Sequence, residues 1–432
     1  MLPIINWSSL STNEQKQPLK RAVQQNPPVD PVAKIIANVK AHGDKALMQY
    51  SREFDGVELS RLSVSREKIT KAEVSTSTLA AIQSAIETIK LFHTSLMPKA
   101  IRVNTAKGIF IDCVYRPINT VGLYVPGGNN TPLISSVLMQ AIPALIAGCP
   151  QRVLCTPPNK KGEIDAALLV AARLCKIDTI YPVGGAQAIA AMAYGTESVM
   201  KVDKIFGPGN SWVTEAKTQV SIDPDGAAID MPAGPSEVLI IADDQANPAF
   251  VAADLLAQAE HGVDSQVILL CESQAFAEAV NSAVTLQIQT LTRANIINKS
   301  LQYSSIILCS SREQMITIVN EYAPEHLIIN CIDAADWVDA IINAGTIFVG
   351  PFAAESMGDY VTGSNHVLPT NGYARNHSGL STCNFLKTIN IQSISDTGVH
   401  QLGSAAEILA KIEGLDAHAN AIRLRLNALE GI

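Results

Sequence analysis

Short runs of Val, Ile and Leu, separated by amphipathic stretches, dominate the chain from Ile109 onward. Several of these runs lack polar alternation, which is typical of strands buried on both faces of a parallel sheet. The helical patterns between them indicate βαβ units, so the sequence predicts an α/β fold. The candidate strands are IFIDCVY, TVGLYV, RVLCTP, TIYPV, KIF, AAIDM, EVLIIAD, QVILLC, SIILC, HLIIN and GTIFVG.

Other segments flank this α/β pattern. Residues 1–22 form a predicted polar arm, and a helix-rich stretch follows as far as Ala100. After Asn371 the strand signal fades, and residues 405–429 have a helical pattern. Because a single hydrophobic core stops growing at roughly 250–300 residues, the chain of 432 residues is predicted to contain at least two domains.

The composition excludes several classes of protein. The chain is 47% hydrophobic and 17% charged, which excludes a disordered chain. A net charge of −8 gives no support for binding to nucleic acid or to an anionic membrane. The most apolar window, residues 132–149, is interrupted by serines, a glutamine and prolines, so it predicts a buried helix and not a membrane span.

The N-terminus and the cysteines favour a cytoplasmic protein. The first residues lack the basic and apolar regions of a signal peptide. Eight cysteines are scattered along the chain without a CxxC pair, and most lie in apolar strands. We therefore expect reduced thiols in the core, in preference to disulfides or a cysteine metal site.

Three strand-to-helix joints share a glycine-rich design: VGLYVPGGNN, TIYPVGGAQ and KIFGPGN. Glycine lets the backbone turn sharply, and the N–H groups of the next helix then point toward a bound phosphate or carboxylate. Many βα loops contain glycine for steric reasons alone, so the joints favour a nucleotide site without deciding it. The dinucleotide pattern GxGxxG is incomplete, because Trp212 stands where the third glycine would be.

The segment DLLAQAEHG contains the first of two Glu-His pairs. Helical spacing places Gln258 and His261 on one face, whereas Glu260 points about a right angle away from His261. Gln258 and His261 are therefore the metal-competent residues, with Asp254 near the same face. The alternative is a histidine that caps a helix ending at Gly262, beside a surface glutamate.

The second pair, Glu325 and His326, follows Pro324 and leads directly into the strand HLIIN. The edge of a parallel sheet is a usual location for catalytic residues in α/β folds. Adjacent side chains of an extended chain face opposite ways. Both side chains can therefore line one site only if Glu325 lies in the turn before the strand.

Two further segments add potential metal ligands. Asp359 lies among small residues after the strand GTIFVG, in a polar cluster with Glu355 and His366. His418 lies on the predicted terminal helix, where a histidine is more often a surface residue. Together with the first Glu-His segment, these oxygen and nitrogen ligands suit Zn²⁺, or Mn²⁺ or Co²⁺ in the same site.

Taken in order, the longest motifs of the chain resemble those of the histidinol dehydrogenases. The motifs are GLYVPGG, VGGAQAIAA, KIFGPGN, DMPAGPSEVLIIAD, DLLAQAEHG, PEHL, ESMGDYVTGSNHVLPT and EGLDAH. The resemblance spans roughly residues 35–425. It implies an NAD⁺-dependent enzyme that oxidises L-histidinol to L-histidinal and then to L-histidine, the last two steps of histidine biosynthesis.

Matching these motifs residue by residue implies a role for each of several side chains. One Zn²⁺ per subunit would be bound by Gln258, His261, Asp359 and His418. The catalytic residues would be Glu325 and His326. The substrate would contact the four metal ligands together with Ser236, His326 and Glu413. NAD⁺ would contact Tyr124, Gln187 and Asn210, one in each glycine-rich joint.

The resemblance also implies an architecture of two incomplete Rossmann-like domains with parallel-rich sheets and small N- and C-terminal helical extensions. Residues 23–124 and 236–380 would form the domain with the metal and catalytic residues. Residues 125–235 would form the domain with the NAD⁺ loops. Residues 381–432 would extend to the other subunit of a homodimer, so that Glu413 and His418 act in the partner's site.

The implied chemistry gives the second Glu-His pair two tasks. His326 would remove the alcohol proton as a general base, and Glu325 would activate the water that hydrates the aldehyde. A cysteine thiohemiacetal is the rival route for the aldehyde, with Cys113 and Cys149 as the nearest candidates; neither has a neighbouring His or Lys in sequence.

Two other functions use the same ligands. A zinc hydrolase would employ Glu325 as its base but would have no need of three glycine-rich joints. A metal-binding protein without catalysis would not need His326. These alternatives are separated by whether the protein reduces NAD⁺ in the presence of histidinol.

Overall fold

The structure is a computed structural model, and it describes residues 1–22, 28–127, 132–231 and 234–431. Within these residues the strands form three sheets, two of them parallel and one antiparallel. The strands are β1 (Ile4–Asn6), β2 (Ile101–Ala106), β3 (Ile109–Pro117), β4 (Thr120–Tyr124), β5 (Gln151–Cys155), β6 (Thr179–Tyr181), β7 (Lys204–Phe206), β8 (Ala228–Ile229), β9 (Glu237–Ala242), β10 (Gln266–Cys271), β11 (Ser305–Leu308), β12 (His326–Asn330), β13 (Thr346–Val349) and β14 (Leu386–Ile394).

Most of the helices connect parallel strands. The α-helices of the described residues are α1 (Val29–His42), α2 (Asp44–Tyr50), α3 (Arg66–Lys71), α4 (Thr76–Ser95), α5 (Ile134–Ala147), α6 (Ala166–Leu174), α7 (Gly185–Tyr194), α8 (Ser211–Ile222), α9 (Pro248–Ala259), α10 (Gln274–Ile288), α11 (Ala294–Ser300), α12 (Arg312–Tyr322), α13 (Glu355–Tyr360), α14 (Asp396–Ile412) and α15 (Asp416–Glu430). Helices α1 to α4 precede β2, and helices α14 and α15 follow β14.

The five-stranded sheet is parallel throughout and has the strand order β6-β5-β4-β7-β8. If the strands of this sheet are numbered along the chain, with β4 as strand 1, the order is 3-2-1-4-5, as in half of a doubly wound Rossmann domain. Successive side chains of a strand point to opposite faces. Leu154 of β5 therefore enters the core on one face, whereas Val153 and Cys155 enter the core on the other.

The six-stranded sheet repeats this plan in the second half of the chain. Its order is β1-β11-β10-β9-β12-β13, all parallel, so β9 to β13 again follow the 3-2-1-4-5 order and β1 is added at one edge. In β9, Val238 and Ile240 face one core while Leu239 and Ile241 face the other. Burial on both faces explains why these strands lack polar alternation, and the predicted α/β class is confirmed.

All eleven strands predicted from the sequence are present, as β3 to β13. The expectation that strand structure ends near Asn371 is wrong, because β14 (Leu386–Ile394) pairs antiparallel with β3 along nine residues. Eight of the nine residues of β14 are exposed in the single chain. Polar and apolar residues alternate strictly only over residues 388–392, so the two-residue pattern covers five of the nine residues of the strand.

The structure groups the N-terminal third of the chain differently from the predicted domains. Strand β4 is the central strand of the five-stranded sheet, and not part of the domain formed by residues 236–380. Helix α1 packs against α7 and α8, and α4 packs against α5. The physical reason is that α1 buries Val32, Ile35 and Val39 in the same core as Ile189 of α7. Within the predicted arm of residues 1–22, β1 belongs to the six-stranded sheet.

Helix α5 occupies the most apolar window of the sequence. Ten of its fourteen residues are buried, which confirms the prediction of a buried helix. Among the helices of the described residues, none combines the length and the hydropathy required to cross a bilayer.

A buried ion pair fixes the loop after β7. The side chains of Lys217 on α8 and Asp230 pair with almost no exposure. Lys217 Nζ donates to the carbonyl of Gly207 (2.9 Å), and the Gly207 N–H donates to Asp230 (2.8 Å). Gly207 has φ +116°, and a Cβ there would collide with the carbonyl oxygen of Tyr124. This fixed turn determines where the following residues, including Asn210, lie.

Candidate active site

A cavity of about 530 Å³ lies between the two parallel sheets. One wall is formed by residues after β4 and β7, such as Pro126 and Asn210, at the carboxyl edge of the five-stranded sheet. The opposite wall is formed by Ser236, Glu325 and His326, at the amino edge of the six-stranded sheet. The second Glu-His pair thus lies at the end of a strand, as predicted. It lies at the amino end, however, whereas ligands in α/β folds usually bind at the carboxyl ends of the strands.

The turn before β12 places Glu325 and His326, the buried Glu-His pair, in one cavity. Helix α12 ends at Tyr322, and Ala323 adopts a left-handed conformation with φ +53°. After Pro324, strand β12 begins at His326, so Glu325 lies in the turn before the strand. This is the position that allows both side chains to line one site. Both side chains line the cavity and both are buried.

The main chain of Glu237 binds both members of the pair. Its N–H donates to the Glu325 carboxylate at 2.9 Å. Its carbonyl lies 3.2 Å from His326 Nδ1, and since a carbonyl only accepts, Nδ1 donates. His326 Nε2 is then the acceptor nitrogen, 3.7 Å from the nearest carboxylate oxygen of Asp359. Within the described residues, Nε2 is buried and has no hydrogen-bond partner.

Carboxylates surround the imidazole of His326. Burial lowers the pKa of His326, but the nearby charges of Glu355, Glu325 and Asp359 outweigh it and raise the pKa to about 10. Burial raises the pKa of Glu325 to about 8 and also raises the pKa of Glu355. Such a concentration of buried negative charge is stabilised by a cation.

The described residues fit a divalent cation beside this ring. Ligand atoms of His261, Glu355 and Asp359 lie within 4.8 Å of one another. Gln258 lines the same cavity, and its buried Oε1 has no hydrogen-bond partner among the described residues. An unpartnered buried amide oxygen costs free energy unless a ligand binds it. One imidazole nitrogen and several oxygens form a donor set that suits Zn²⁺ or Mn²⁺.

The prediction that Gln258 and His261 lie on one face of the same helix is wrong for His261. Helix α9 ends at Ala259 with Glu260 as its C-cap, so His261 lies beyond the helix. The His261 N–H donates to the Gln258 carbonyl at 3.2 Å, and this tight turn returns its side chain to the cavity of Gln258. Glu260 is not among the residues that line the cavity, as its predicted orientation requires.

Helix α13 contributes two carboxylates, and the resemblance to histidinol dehydrogenases implies a role only for that of Asp359. Glu355 and Asp359 are four residues apart and so lie on one face of the helix. Glu355 Oε1 is 3.9 Å from His326 Nδ1, and its side chain is buried. His366 also lines the cavity, and its Nδ1 lies 2.9 Å from the Asp359 carbonyl. The four-residue spacing was the signal that identifies Glu355.

A second cavity, of about 300 Å³, contains the three predicted NAD⁺ contacts. Tyr124, Gln187 and Asn210 all line it, together with Trp212. The Tyr124 hydroxyl accepts a hydrogen bond from the N–H of Gly185 at 3.0 Å, and this bond links the first glycine-rich joint to the second. Asn210 caps α8 and lines both cavities. Residues 128–131 of the first joint lie outside the described residues.

The sequence is similar to those of known histidinol dehydrogenases. The model of the histidinol dehydrogenase family matches residues 19–426. The chain is 59% identical over 429 residues to a histidinol dehydrogenase of Legionella pneumophila (strain Paris), covering 99% of the chain and 100% of that protein. It is 50% identical to a histidinol dehydrogenase of Mannheimia succiniciproducens, covering 97% of the chain and 98% of that protein.

A solved structure agrees with this match. The crystal structure of histidinol dehydrogenase from Elizabethkingia anophelis superimposes with a TM-score of 0.94 at 44% identity, covering 99% of both chains. The chain belongs to the histidinol dehydrogenase family. It is therefore an oxidoreductase of histidine biosynthesis, and its α/β fold is that of the family.

Within a single chain, two residues that the resemblance to histidinol dehydrogenases assigns to the site lie apart from it. Glu413 is the C-cap of α14, and His418 lies on α15; both are exposed. Neither is among the residues that line the cavity with Gln258 and His261. The chain alone brings together three of the four predicted metal ligands.

The cysteines give no support to a thiol route for aldehyde oxidation. All eight are free, and six of them are buried. Cys113 lies on β3, and burial raises the pKa of Cys149 to about 11, which disfavours a thiolate. Neither residue is among those that line the cavity of the buried Glu-His pair.

Replacing Gln258 by Leu should weaken Zn²⁺ binding at least about tenfold, because the change removes the unpartnered amide oxygen. The affinity is measured by competition with a chromophoric chelator, without any need for turnover. Glu260→Gln is the matched control and should bind Zn²⁺ like the unmodified protein, since Glu260 does not line the cavity. Equal affinities for the Gln258→Leu variant and the unmodified protein would contradict the assignment.

Proposed function

We propose that the enzyme oxidises L-histidinol to L-histidine through L-histidinal, a four-electron reaction that uses NAD⁺ and one bound Zn²⁺ per subunit. Asn210 carries this proposal, because it lines both the cavity of the buried Glu-His pair and the cavity of Tyr124 and Gln187. A substrate in the first cavity and a nicotinamide in the second would meet beside Asn210. The free thiols support a cytoplasmic location.

The residues around the first cavity are suited to a substrate that carries an imidazole and an amine. A bound Zn²⁺ would orient these two groups, and NAD⁺ would accept hydride from the carbinol carbon. Gln258, His261 and Asp359 would bind the cation together with His418 of the partner subunit. Ser236 lines the same cavity and is available for a polar contact with the substrate.

His326 is the proposed base for the alcohol. Its Nδ1–H donates to the Glu237 carbonyl, which fixes the tautomer and leaves Nε2 to accept the hydroxyl proton. The carboxylates around it favour the protonated ring. A divalent cation held by Asp359 would oppose these charges and so favour the neutral ring that a base requires.

Glu325 is the proposed base for the aldehyde. Its carboxylate takes a proton from water as the oxygen adds to the aldehyde carbon and returns this proton to the former carbonyl oxygen, which gives the hydrate. NAD⁺ would then accept a hydride from the hydrate carbon, and loss of a proton would leave the acid. Burial raises the pKa of Glu325 to about 8, so it exchanges protons near neutral pH. The Glu237 N–H fixes its position at 2.9 Å.

A homodimer would complete the site. Apolar side chains of the C-terminal extension are exposed in the single chain, among them Ile389 and Ile391 on β14 and Ile412 on α14. Large exposed apolar surfaces are typical of contacts with another protein. We infer that residues 381–432 pack on a second copy and bring Glu413 and His418 to the partner's cavity.

The proposed function is tested by adding histidinol and NAD⁺ to the purified, zinc-loaded enzyme. Absorbance should report two NADH for each histidinol consumed, because the oxidation of the alcohol to the acid releases four electrons and each NAD⁺ accepts two. Removal of the metal by a chelator should abolish NADH formation, and added Zn²⁺ should restore it. Absence of NADH formation with zinc bound would disprove the dehydrogenase assignment, while hydrolysis of an amide substrate would favour the hydrolase alternative.

Glu325→Gln should slow the oxidation of histidinal by about 100-fold or more and slow the oxidation of histidinol much less. Glutamine retains the shape and accepts the Glu237 N–H, but it cannot take a proton from water. Single-turnover rates of NADH formation, started from histidinol or from histidinal, separate the two steps. The exposed Glu321→Gln variant is the control. Equal slowing of both steps would mean that Glu325 acts on the alcohol as well or is structural.

Mixing His261→Ala and His418→Ala subunits should give heterodimers with about half of the unmodified activity if His418 acts across the dimer. In a mixed dimer, one site carries both substitutions and the other carries neither. Activity is measured on heterodimers purified with two different affinity tags. Inactive heterodimers would show that His418 acts within its own chain.

A further inference from the structure

The N-terminal arm reaches the amino edge of the six-stranded sheet. Strand β1 pairs with β11, and Leu2 and Trp7 are buried in the cores on opposite faces of this sheet. At the start of β10, the side chain of Gln266 donates to the carbonyl of Lys20 at 3.1 Å. The arm therefore passes along the strand starts where the buried Glu-His pair lies.

Arg21 lies against a buried carboxylate at this edge. Its Nε and Nη2 make two hydrogen bonds to the carboxylate of Glu237, at 2.5 and 2.9 Å. Nη2 also donates to the carbonyl of Tyr322 at 2.8 Å, and the guanidinium lies 4.0 Å from the centre of the Tyr322 ring. The side chain of Glu237 is 2% exposed. Only arginine supplies this planar, two-pronged contact together with stacking on an aromatic ring.

Glu237 is also the residue whose main chain binds both proposed bases. Its N–H donates to Glu325 and its carbonyl accepts from His326. Its carboxylate further accepts the N–H of Asn371 at 2.7 Å. A displacement of Glu237 would therefore move Glu325 and His326 together.

We propose that Arg21 is a positioning residue, which fixes the main chain of Glu237 and through it the geometry of Glu325 and His326. The inference rests on the catalytic roles proposed for these two residues. Without Arg21, the carboxylate of Glu237 would be buried without its ion-pair partner, a state that favours movement of the carboxylate toward water. Arg21 lines neither of the two cavities, so it acts on the reaction through Glu237 and not through substrate or cofactor.

Arg21→Ala should lower kcat by about 10- to 100-fold, the range typical of residues that orient catalytic groups. The KM values for histidinol and NAD⁺ should change much less. Guanidinium at non-denaturing, millimolar concentration should restore part of kcat, because the Arg21 side chain is 18% exposed and its replacement leaves an accessible space. Arg21→Lys should recover little, since an ammonium ion cannot form the paired contact.

Arg312→Ala is the matched control. Arg312 also forms an ion pair, with Asp333, and lies 4.4 Å from the centre of an aromatic ring, that of Trp337. Its hydrogen bonds do not involve Glu237. This variant should retain kcat and should not respond to guanidinium. A similar loss of kcat in both variants, or a loss in Arg21→Ala that guanidinium does not reverse, would overturn the positioning role.

Amide hydrogen exchange tests the same inference without turnover. In Arg21→Ala, the peptide that contains the start of β9 should exchange faster than in the unmodified protein and in Arg312→Ala, while exchange in the five-stranded sheet stays unchanged. Unchanged exchange at the start of β9, or a uniform rise along the whole chain, would overturn the proposal whether or not the protein oxidises histidinol. Failure of the unmodified protein to form NADH would instead disprove the proposed function.

If Arg21→Ala does not fold, Glu237→Gln provides the second variant. Glutamine retains the shape and accepts one hydrogen bond from Arg21, but it removes the ion pair. In this variant, amide exchange at the start of β9 should rise and kcat should fall. Both changes should be smaller than those expected from complete loss of the Arg21–Glu237 contact. Unchanged exchange and unchanged kcat in Glu237→Gln would show that the ion pair does not position the two bases.

Discussion

Negative charge around the imidazole of His326 is the constraint on which the rest of the site depends. Glu325, Glu355 and Asp359 approach one buried ring, and burial opposes the ionised form of each carboxyl group. Without a cation, the protein can balance this charge only by protonating the ring or the acids. The proposed divalent ion beside Asp359 and the unpartnered oxygen of Gln258 would balance it and leave the imidazole of His326 neutral. The charge of the site and the chemistry proposed for it therefore lead to the same cation.

The two parallel sheets share one strand order but contribute opposite edges to the cavity. The five-stranded sheet presents its carboxyl edge, where glycine-rich turns lead into helices α7 and α8 and the predicted NAD⁺ contacts lie. The six-stranded sheet presents its amino edge, where a strand start has a main-chain N–H with no partner in the sheet. Glu237 uses this N–H to bind the carboxylate of Glu325. The amino edge thus fixes the carboxyl group of Glu325, while the carboxyl edge is open to a ligand.

Much of this arrangement is predictable from the sequence, because buried strands and short spacings leave local patterns. The strands β3 to β13 and the approach of Gln258 and His261 to one cavity follow from such patterns, although α9 ends before His261. Glu355 has an equally local signal, its four-residue spacing from Asp359. Strand β14 has a weaker signal, because polar and apolar residues alternate strictly only over residues 388–392 of its nine residues. The contact of Arg21 with Glu237 joins residues 216 positions apart, and only the folded sheet brings them together.

The pairing of Arg21 with Glu237 also bears on the charge of the site. The carboxylate of Glu237 lies near enough to Glu325 to contribute to the rise in the pKa of Glu325. An unpaired Glu237 would add a further negative charge beside the buried Glu-His pair, and this charge would favour protonation of both Glu325 and His326. The guanidinium of Arg21 contacts Glu237 and remains charged at any physiological pH, so its positive charge opposes that contribution. The N-terminal arm therefore limits the negative charge that the cation must balance, in addition to fixing the strand that orients the two bases.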